Sequence, residues 1–153
     1  MKALILYSSS SFPLSAVAGT IYLKKITPGE LAANLWDFSF TADYKQYSSG
    51  RMCYLGRSGD GTEVVAFSAR SGKIILKNLI ETFLQMNGID TKHCRVVEIK
   101  IPAKITLFLG QLLLWLPLSA GAGRRLLGKY INKMYPQLAE AVKLDCNFQI
   151  SDN

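Results

Sequence analysis

Ala3-Leu4-Ile5-Leu6-Tyr7-Ser8-Ser9-Ser10-Ser11-Phe12-Pro13-Leu14 is the stretch whose reading decides the fold. Residues 3–7 form an apolar run of strand length, and Ser8 to Ser11 interrupt it. Pro13 then stands near the first turn of a helix, where its missing N–H costs nothing because that donor has no partner in the helix anyway. Behind it Leu14, Val17, Ala18, Ile21 and Tyr22 recur at helical spacing, and Lys24-Lys25 set positive charge at the end that suits the helix dipole. A buried strand, a polar loop and a helix are the opening of an α/β layered domain.

Reading outward, Thr27-Pro28-Gly29-Glu30 predicts a second, short helix, with Thr27 as cap, Pro28 in the first position and Glu30 completing a capping box; it should end near Trp36 or Asp37. Residues 37–50 are aromatic and polar and read as an irregular loop. Residues 51–56 and 63–68 are strand-like, and Ser58-Gly59-Asp60-Gly61 between them supplies hairpin turn chemistry. Next, Ala69-Arg70-Ser71-Gly72-Lys73 leads into a helix expected to bury Ile74, Ile75, Leu79, Ile80, Phe83 and Leu84, closed by Asn87-Gly88. Residues 95–101 predict another strand, ending at Pro102. An apolar helix follows over 105–118, then a small-residue break over 119–123, then a last helix over 124–142 with a bend near Pro136. Phe148 and Ile150 suggest a terminal edge strand or a frayed end. The expected architecture is one α/β domain over residues 1–153: a mixed sheet, one β-hairpin and two C-terminal helices.

Composition narrows function mainly by exclusion. The 153 residues are 49% hydrophobic and 19% charged, which excludes wholesale disorder, and the length suffices to bury a core without a metal or disulfide staple. Cys53, Cys94 and Cys146 are odd in number and widely spaced, with no CxxC pair, so neither a disulfide framework nor a zinc site is expected. Cys53 reads as a small core hydrophobe, and His93, the single histidine, as part of a surface turn. No metal or cofactor is expected. The N-terminal run is too short for a signal peptide, which makes the cytoplasm the expected location.

The net charge of +7 is unevenly placed. Residues 1–91 carry nine basic and seven acidic side chains, whereas residues 92–143 carry nine basic groups against Glu98 and Glu140. That skew favours an anionic partner, a small molecule, phosphate or lipid surface. Nucleic acid is a minor option, because no RNA-reading signature and no aromatic–basic interleaving is present.

Two strand–loop–helix junctions are candidate anion sites. The first is Ser8 to Ser11 ahead of the helix at Pro13, where free N–H groups, the helix dipole and the hydroxyls of Ser10, Ser11 and Ser15 would hold an anionic oxygen. It is not a phosphate-wrapping Walker loop, since GxxxxGK[ST] is missing. The second is Arg70-Ser71-Gly72-Lys73, two cations with a capping hydroxyl at a helix start. If strands 3–7 and 63–68 are parallel neighbours, both loops face one crevice. Catalytic machinery is harder to find: a serine nucleophile needs a base, and no paired carboxylates stand out.

The other sharp feature is the uncharged stretch of nineteen residues between Lys104 and Arg124. As a helix it would approach the thickness of a bilayer core, but Gln111, Pro117, Ser119 and three glycines break it, so a buried helix is expected. The alternative is a surface for a protein partner, a second copy or a membrane, using Leu112, Trp115 and Leu116 with Arg124 and Arg125.

Gly50-Arg51, Asp60-Gly61-Thr62-Glu63-Val64, Ser71-Gly72-Lys73, Asn87-Gly88-Ile89-Asp90 and Gly123-Arg124-Arg125 together resemble a small family of uncharacterised proteins from spore-forming Firmicutes, known only as a domain of unknown function. The resemblance spans most of the chain and brings no activity with it; a link to sporulation would follow from the family's distribution alone. The family's first loop reads Gly-Gly, a small residue, then His-Ser-Ser before the first helix. Here Ser10-Ser11-Phe12-Pro13-Leu14-Ser15 stands in its place and only Ser15 keeps its type. The resemblance therefore implies a degenerate or specialised member. The expected function is non-catalytic binding of an anionic or phosphorylated ligand, with the interaction surface as alternative and a small phosphate-handling enzyme, dependent on Ser15, as the third reading.

Overall fold

The structure is a computed structural model that describes residues 2–47, 49–69, 73–86, 93–100, 104–116 and 119–147. Strand β1 (Ala3–Ser8) leads into α1 (Leu14–Tyr22). Three single-turn helices follow, α2 (Leu31–Asn34), α3 (Ser39–Ala42) and α4 (Tyr44–Tyr47), with a 3-10 turn at Leu35–Asp37. The hairpin strands are β2 (Ser49–Arg57) and β3 (Glu63–Ala69). Then come α5 (Lys73–Met86), β4 (Cys94–Glu98), α6 (Lys104–Trp115) and α7 (Ala120–Asn147).

The four strands form one sheet in the order β2-β3-β1-β4, with β1 parallel to both neighbours and β2 antiparallel to β3. This is the mixed α/β sheet with one hairpin and C-terminal helices that the sequence predicts. The register sets Leu4 beside Val64, Leu6 beside Ala66 and Ser8 beside Ser68, all six buried on one face. Helix α1 lies on that face and is itself covered by α7, so every residue from Leu14 to Ile21 is buried. Contact with the sheet is close at Gly19, where a Cβ would fall 2.2 Å from the Leu55 side chain. Helix α7 supplies the outer wall through Leu127, Ile131, Met134, Leu138 and Val142, a stripe at helical spacing.

Five expectations are corrected. The loop expected over 37–50 holds two one-turn helices, α3 and α4, with Phe40 and Thr41 buried and the Thr41 hydroxyl bonded to the carbonyls of Leu35 and Phe38. The small-residue break expected over 119–123 is mostly the first turn of α7. Small residues are required there: a Cβ on Gly123 would lie 2.9 Å from the Gly110 carbonyl oxygen and from the Leu114 nitrogen of α6. On α5, Leu84 is buried as expected, but Ile75 and Leu79 face outward at 65% and 57% exposure. Helix α6 is only half-buried, by Leu107, Gly110 and Gln111, while its other face is open. Cys53 is half-buried rather than core, with its thiol pKa raised by burial against the opposing pull of Arg51 and Lys25. No described helix is long and apolar enough to cross a membrane. The Asn87-Gly88 helix stop, Pro102 and the terminal residues Phe148 and Ile150 lie outside the described residues.

The hairpin turn matches the sequence reading: Ser58 N–H donates to the Thr62 carbonyl (2.8 Å), and Gly61 takes φ +84°, a conformation that suits glycine. The expected capping box at Thr27 is not formed: its hydroxyl donates to the Glu30 carboxylate (2.7 Å) instead of a main-chain N–H, and the helix starts at Leu31 with Glu30 as its cap residue.

Candidate functional site

Connections leave the adjacent parallel strands β1 and β3 in opposite directions. From β1 the chain runs through α1 towards the β2–β3 side; from β3 it runs through α5 across β1 to β4. Helix α1 covers the face of Leu4, Leu6 and Ser8. Tyr7 points to the other face, where its phenol pKa is raised by burial and then by Glu98 of β4 and Glu81 of α5. The gap between the carboxyl ends of β1 and β3 is therefore a topological switch point, the place where open α/β sheets form a ligand crevice.

Three serines close the floor of this gap. Ser15 Oγ donates to the Phe67 carbonyl (3.0 Å) and lies 2.7 Å from Ser68 Oγ, which lies 2.9 Å from Ser8 Oγ. A hydroxyl has one proton and a carbonyl oxygen only accepts, so the chain has one direction: Ser8 donates to Ser68, Ser68 to Ser15 and Ser15 to Phe67. All three residues are buried. Their hydroxyls tie α1 to β1 and β3, and Ser15 thus lies under the loop, bonded within the protein.

Above this floor runs the loop over residues 9–13. Buried Ser10 accepts the Phe12 N–H (3.1 Å), which shapes the entry into α1. Half-buried Ser11 donates to Gln111 Oε1 of α6 (2.6 Å). Gln111 is 7% exposed, and its Nε2 is buried without a partner. Tyr44 Oη is in the same position. The Tyr44 ring stands 6.1 Å from Phe12, which in turn meets Trp36 edge-on at 6.2 Å. Next to these rings a cavity of about 290 Å³ opens among Trp36, Tyr44, Lys45, Leu114 and Arg124. The Arg124 guanidinium stacks over Trp36 at 5.5 Å and Lys45 Nζ sits over the Trp115 ring at 4.6 Å. A larger groove of about 560 Å³ beside Tyr135, Pro136 and Ala139 shares no residue with this region.

Of the predicted site residues, the structure therefore gathers Ser10, Ser11 and Ser15 around the β1 carboxyl end. Arg70 and Ser71 lie outside the described residues, and Lys73 is the first residue of α5. The parallel pairing of β1 with β3, on which the shared crevice depended, is present. Leu112, Trp115, Leu116, Arg124 and Arg125 are all exposed. Sequence reading placed Ser8 at the junction without its bond to Ser68, and it missed Ser68, Tyr44 and the role of Gln111. A single amide inside an uncharged apolar helix was the available signal for the last. His93 is exposed, and no cluster of three or more metal-ligating side chains occurs among the described residues.

The fold is that of a small mixed-sheet α/β protein with a polar loop over its switch point. Residues 3–144 match a family described as proteins of unknown function, DUF3189, and the chain belongs to that family. No curated protein and no solved structure matches the chain.

Proposed function

We propose that this is a cytoplasmic protein that binds a small anionic ligand, a phosphorylated or carboxylated molecule, at the carboxyl ends of β1 and β3. The reading rests chiefly on the Gln111 amide: Ser11 holds its Oε1, while its Nε2 is buried and lacks a partner. A buried amide donor left unpaired costs about 1–3 kcal/mol, so a ligand oxygen that accepts from it removes that cost. At the start of α1 the Leu14 N–H is spent on the Phe12 carbonyl and the Ala16 N–H on the Pro13 carbonyl, so the helix adds its dipole rather than the free N–H groups expected from the sequence. Lys45 and Arg124 in the adjoining cavity, which Asp43 also lines, and Arg70 and Lys73 flanking Ser71 at the second junction would supply positive charge.

The role is binding without covalent chemistry. Ser15, the residue a phosphate-handling enzyme would need, gives its proton to a main-chain carbonyl rather than to a base. The experiment is a thermal-shift titration with phosphate, sulfate, nucleotides and sugar phosphates at low salt, on the natural chain and on Gln111→Leu. A shift in the natural chain that shrinks in a folded Gln111→Leu supports the reading. An equal shift in both variants moves the ligand elsewhere.

A further inference from the structure

Among the described residues, nothing covers one face of helix α6. Ile105, Phe108, Leu109, Leu112, Trp115 and Leu116 are 47–76% exposed. At 100° per residue all six fall within an arc of about 120°, opposite the buried arc of Leu107, Gly110 and Gln111. Scattered single apolar residues on a surface are ordinary; six large ones in one stripe are not.

Charge identifies what covers it. Residues 99–139 contain no Asp or Glu and six cations: Lys100, Lys104, Arg124, Arg125, Lys129 and Lys133. Lys45 adds a charge over Trp115, at the end of the stripe, and Arg124 lies in the cavity beside it. Two copies facing each other through α6 would bring these like charges together, which disfavours a homodimer. The helix is 12 residues long, about 18 Å, too short to span a bilayer but suited to lying in its interface. Leucine, phenylalanine and tryptophan on one side with lysine and arginine at the border are the make-up of an interfacial helix, and tryptophan favours the headgroup level.

We propose that the outer face of α6 docks this protein on an anionic membrane surface, Phe108 and Leu112 entering the acyl boundary and Lys45, Arg124 and Arg125 meeting lipid phosphates. None of the six stripe residues belongs to the serine floor, although Lys45 and Arg124 are shared with the proposed anion site.

Co-sedimentation of the full chain with phosphatidylcholine vesicles, with and without 30% phosphatidylglycerol, tests it (about 30%, a composition chosen to give a negative surface). Binding is expected to be on the order of tenfold tighter with the anionic lipid and to fall by a similar factor in about 0.5 M salt. Phe108→Glu with Leu112→Glu should abolish it while the circular dichroism and the anion thermal shift stay unchanged. Both side chains are exposed, so folding survives; Phe108→Ser is the milder second variant and should weaken binding. Brominated acyl chains should quench Trp115, and the quenching should vanish in Trp115→Phe. No sedimentation with anionic vesicles at low salt overturns the proposal. So does equal binding by the double variant, which would leave electrostatics alone, or a concentration-dependent dimer lost in that variant, which would make a second copy the occupant.

Discussion

Ser15 Oγ, in the first turn of α1, lies 2.7 Å from Ser68 Oγ near the end of β3, although 53 positions separate the two residues in the chain. Because Ser68 is the register partner of Ser8, this bond fastens the helix to both parallel strands at the switch point.

Ser15→Ala removes the donor to the Phe67 carbonyl and the acceptor for Ser68 at once. The expected loss is about 1–3 kcal/mol in urea unfolding, with Ser68→Ala similar. The double variant should cost clearly less than the sum, because each single change already breaks the chain of hydroxyls. Additive losses would mean that the three hydroxyls do not act together.

Gly123→Ala should be more damaging than Gly110→Ala. The first would put a methyl 2.9 Å from main-chain atoms of α6, which can move only if the helices separate; the second meets the Leu127 side chain at 2.6 Å, which can rotate away. A cost of about 2–3 kcal/mol is expected for Gly123→Ala and roughly 1 kcal/mol for Gly110→Ala, measured as unfolding free energies.

Lys24→Gly should stabilise the protein. Helix α1 ends in a Schellman arrangement, with Lys24 N–H donating to the Ile21 carbonyl and Lys25 N–H to the Thr20 carbonyl, both at 3.0 Å. Lys24 occupies the left-handed position at φ +54°, where glycine has no Cβ penalty. A gain of a few tenths to about 1 kcal/mol is expected, since glycine also raises the entropy of the unfolded chain.

Asp60 provides a pH test. Its carboxylate accepts from Thr62 N–H (3.2 Å) and the Thr62 hydroxyl (2.9 Å), and these bonds hold its pKa below the ordinary aspartate value. A depressed folded-state pKa stabilises above the unfolded value, and the contribution is lost as pH falls through the folded one. Stability should therefore drop on acidification below about pH 4, and less steeply in Asp60→Ala. Carboxyl chemical shifts in a pH titration would place the Asp60 midpoint directly.

The first strand, α1 and the hairpin were legible because their signals are local: an apolar run stopped by serines, a proline at a helix start, a glycine–aspartate turn. Helix α5 was legible as a helix and Leu84 as a buried residue on it, yet the outward positions of Ile75 and Leu79 were not legible, since both carry the chemistry of core residues. The same holds for α6, where an almost wholly apolar sequence gives no clue to which half meets α7. Gly110 and Gly123 decide that, and they looked like helix breakers in isolation. The site divided similarly. Ser10 and Ser11 lie on the first loop where they were expected; Ser10 bonds locally to Phe12 N–H, but the partner of Ser11, Gln111, depends on tertiary packing. Ser8 and Ser68 acquire meaning only once the parallel register is known.

The central claim is that an anion binds beside the Gln111 amide. The most direct measurement is a thermal-shift titration comparing the natural chain with Gln111→Leu and with Arg70→Ala/Lys73→Ala. Ligand at a hundred times its dissociation constant should stabilise by about 2.7 kcal/mol, a rise of roughly 5 °C or more. The account predicts that rise with at least one phosphorylated or carboxylated compound in the natural chain, and its loss or marked reduction in both variants. No shift with any anion, or an undiminished shift in both variants, would contradict it.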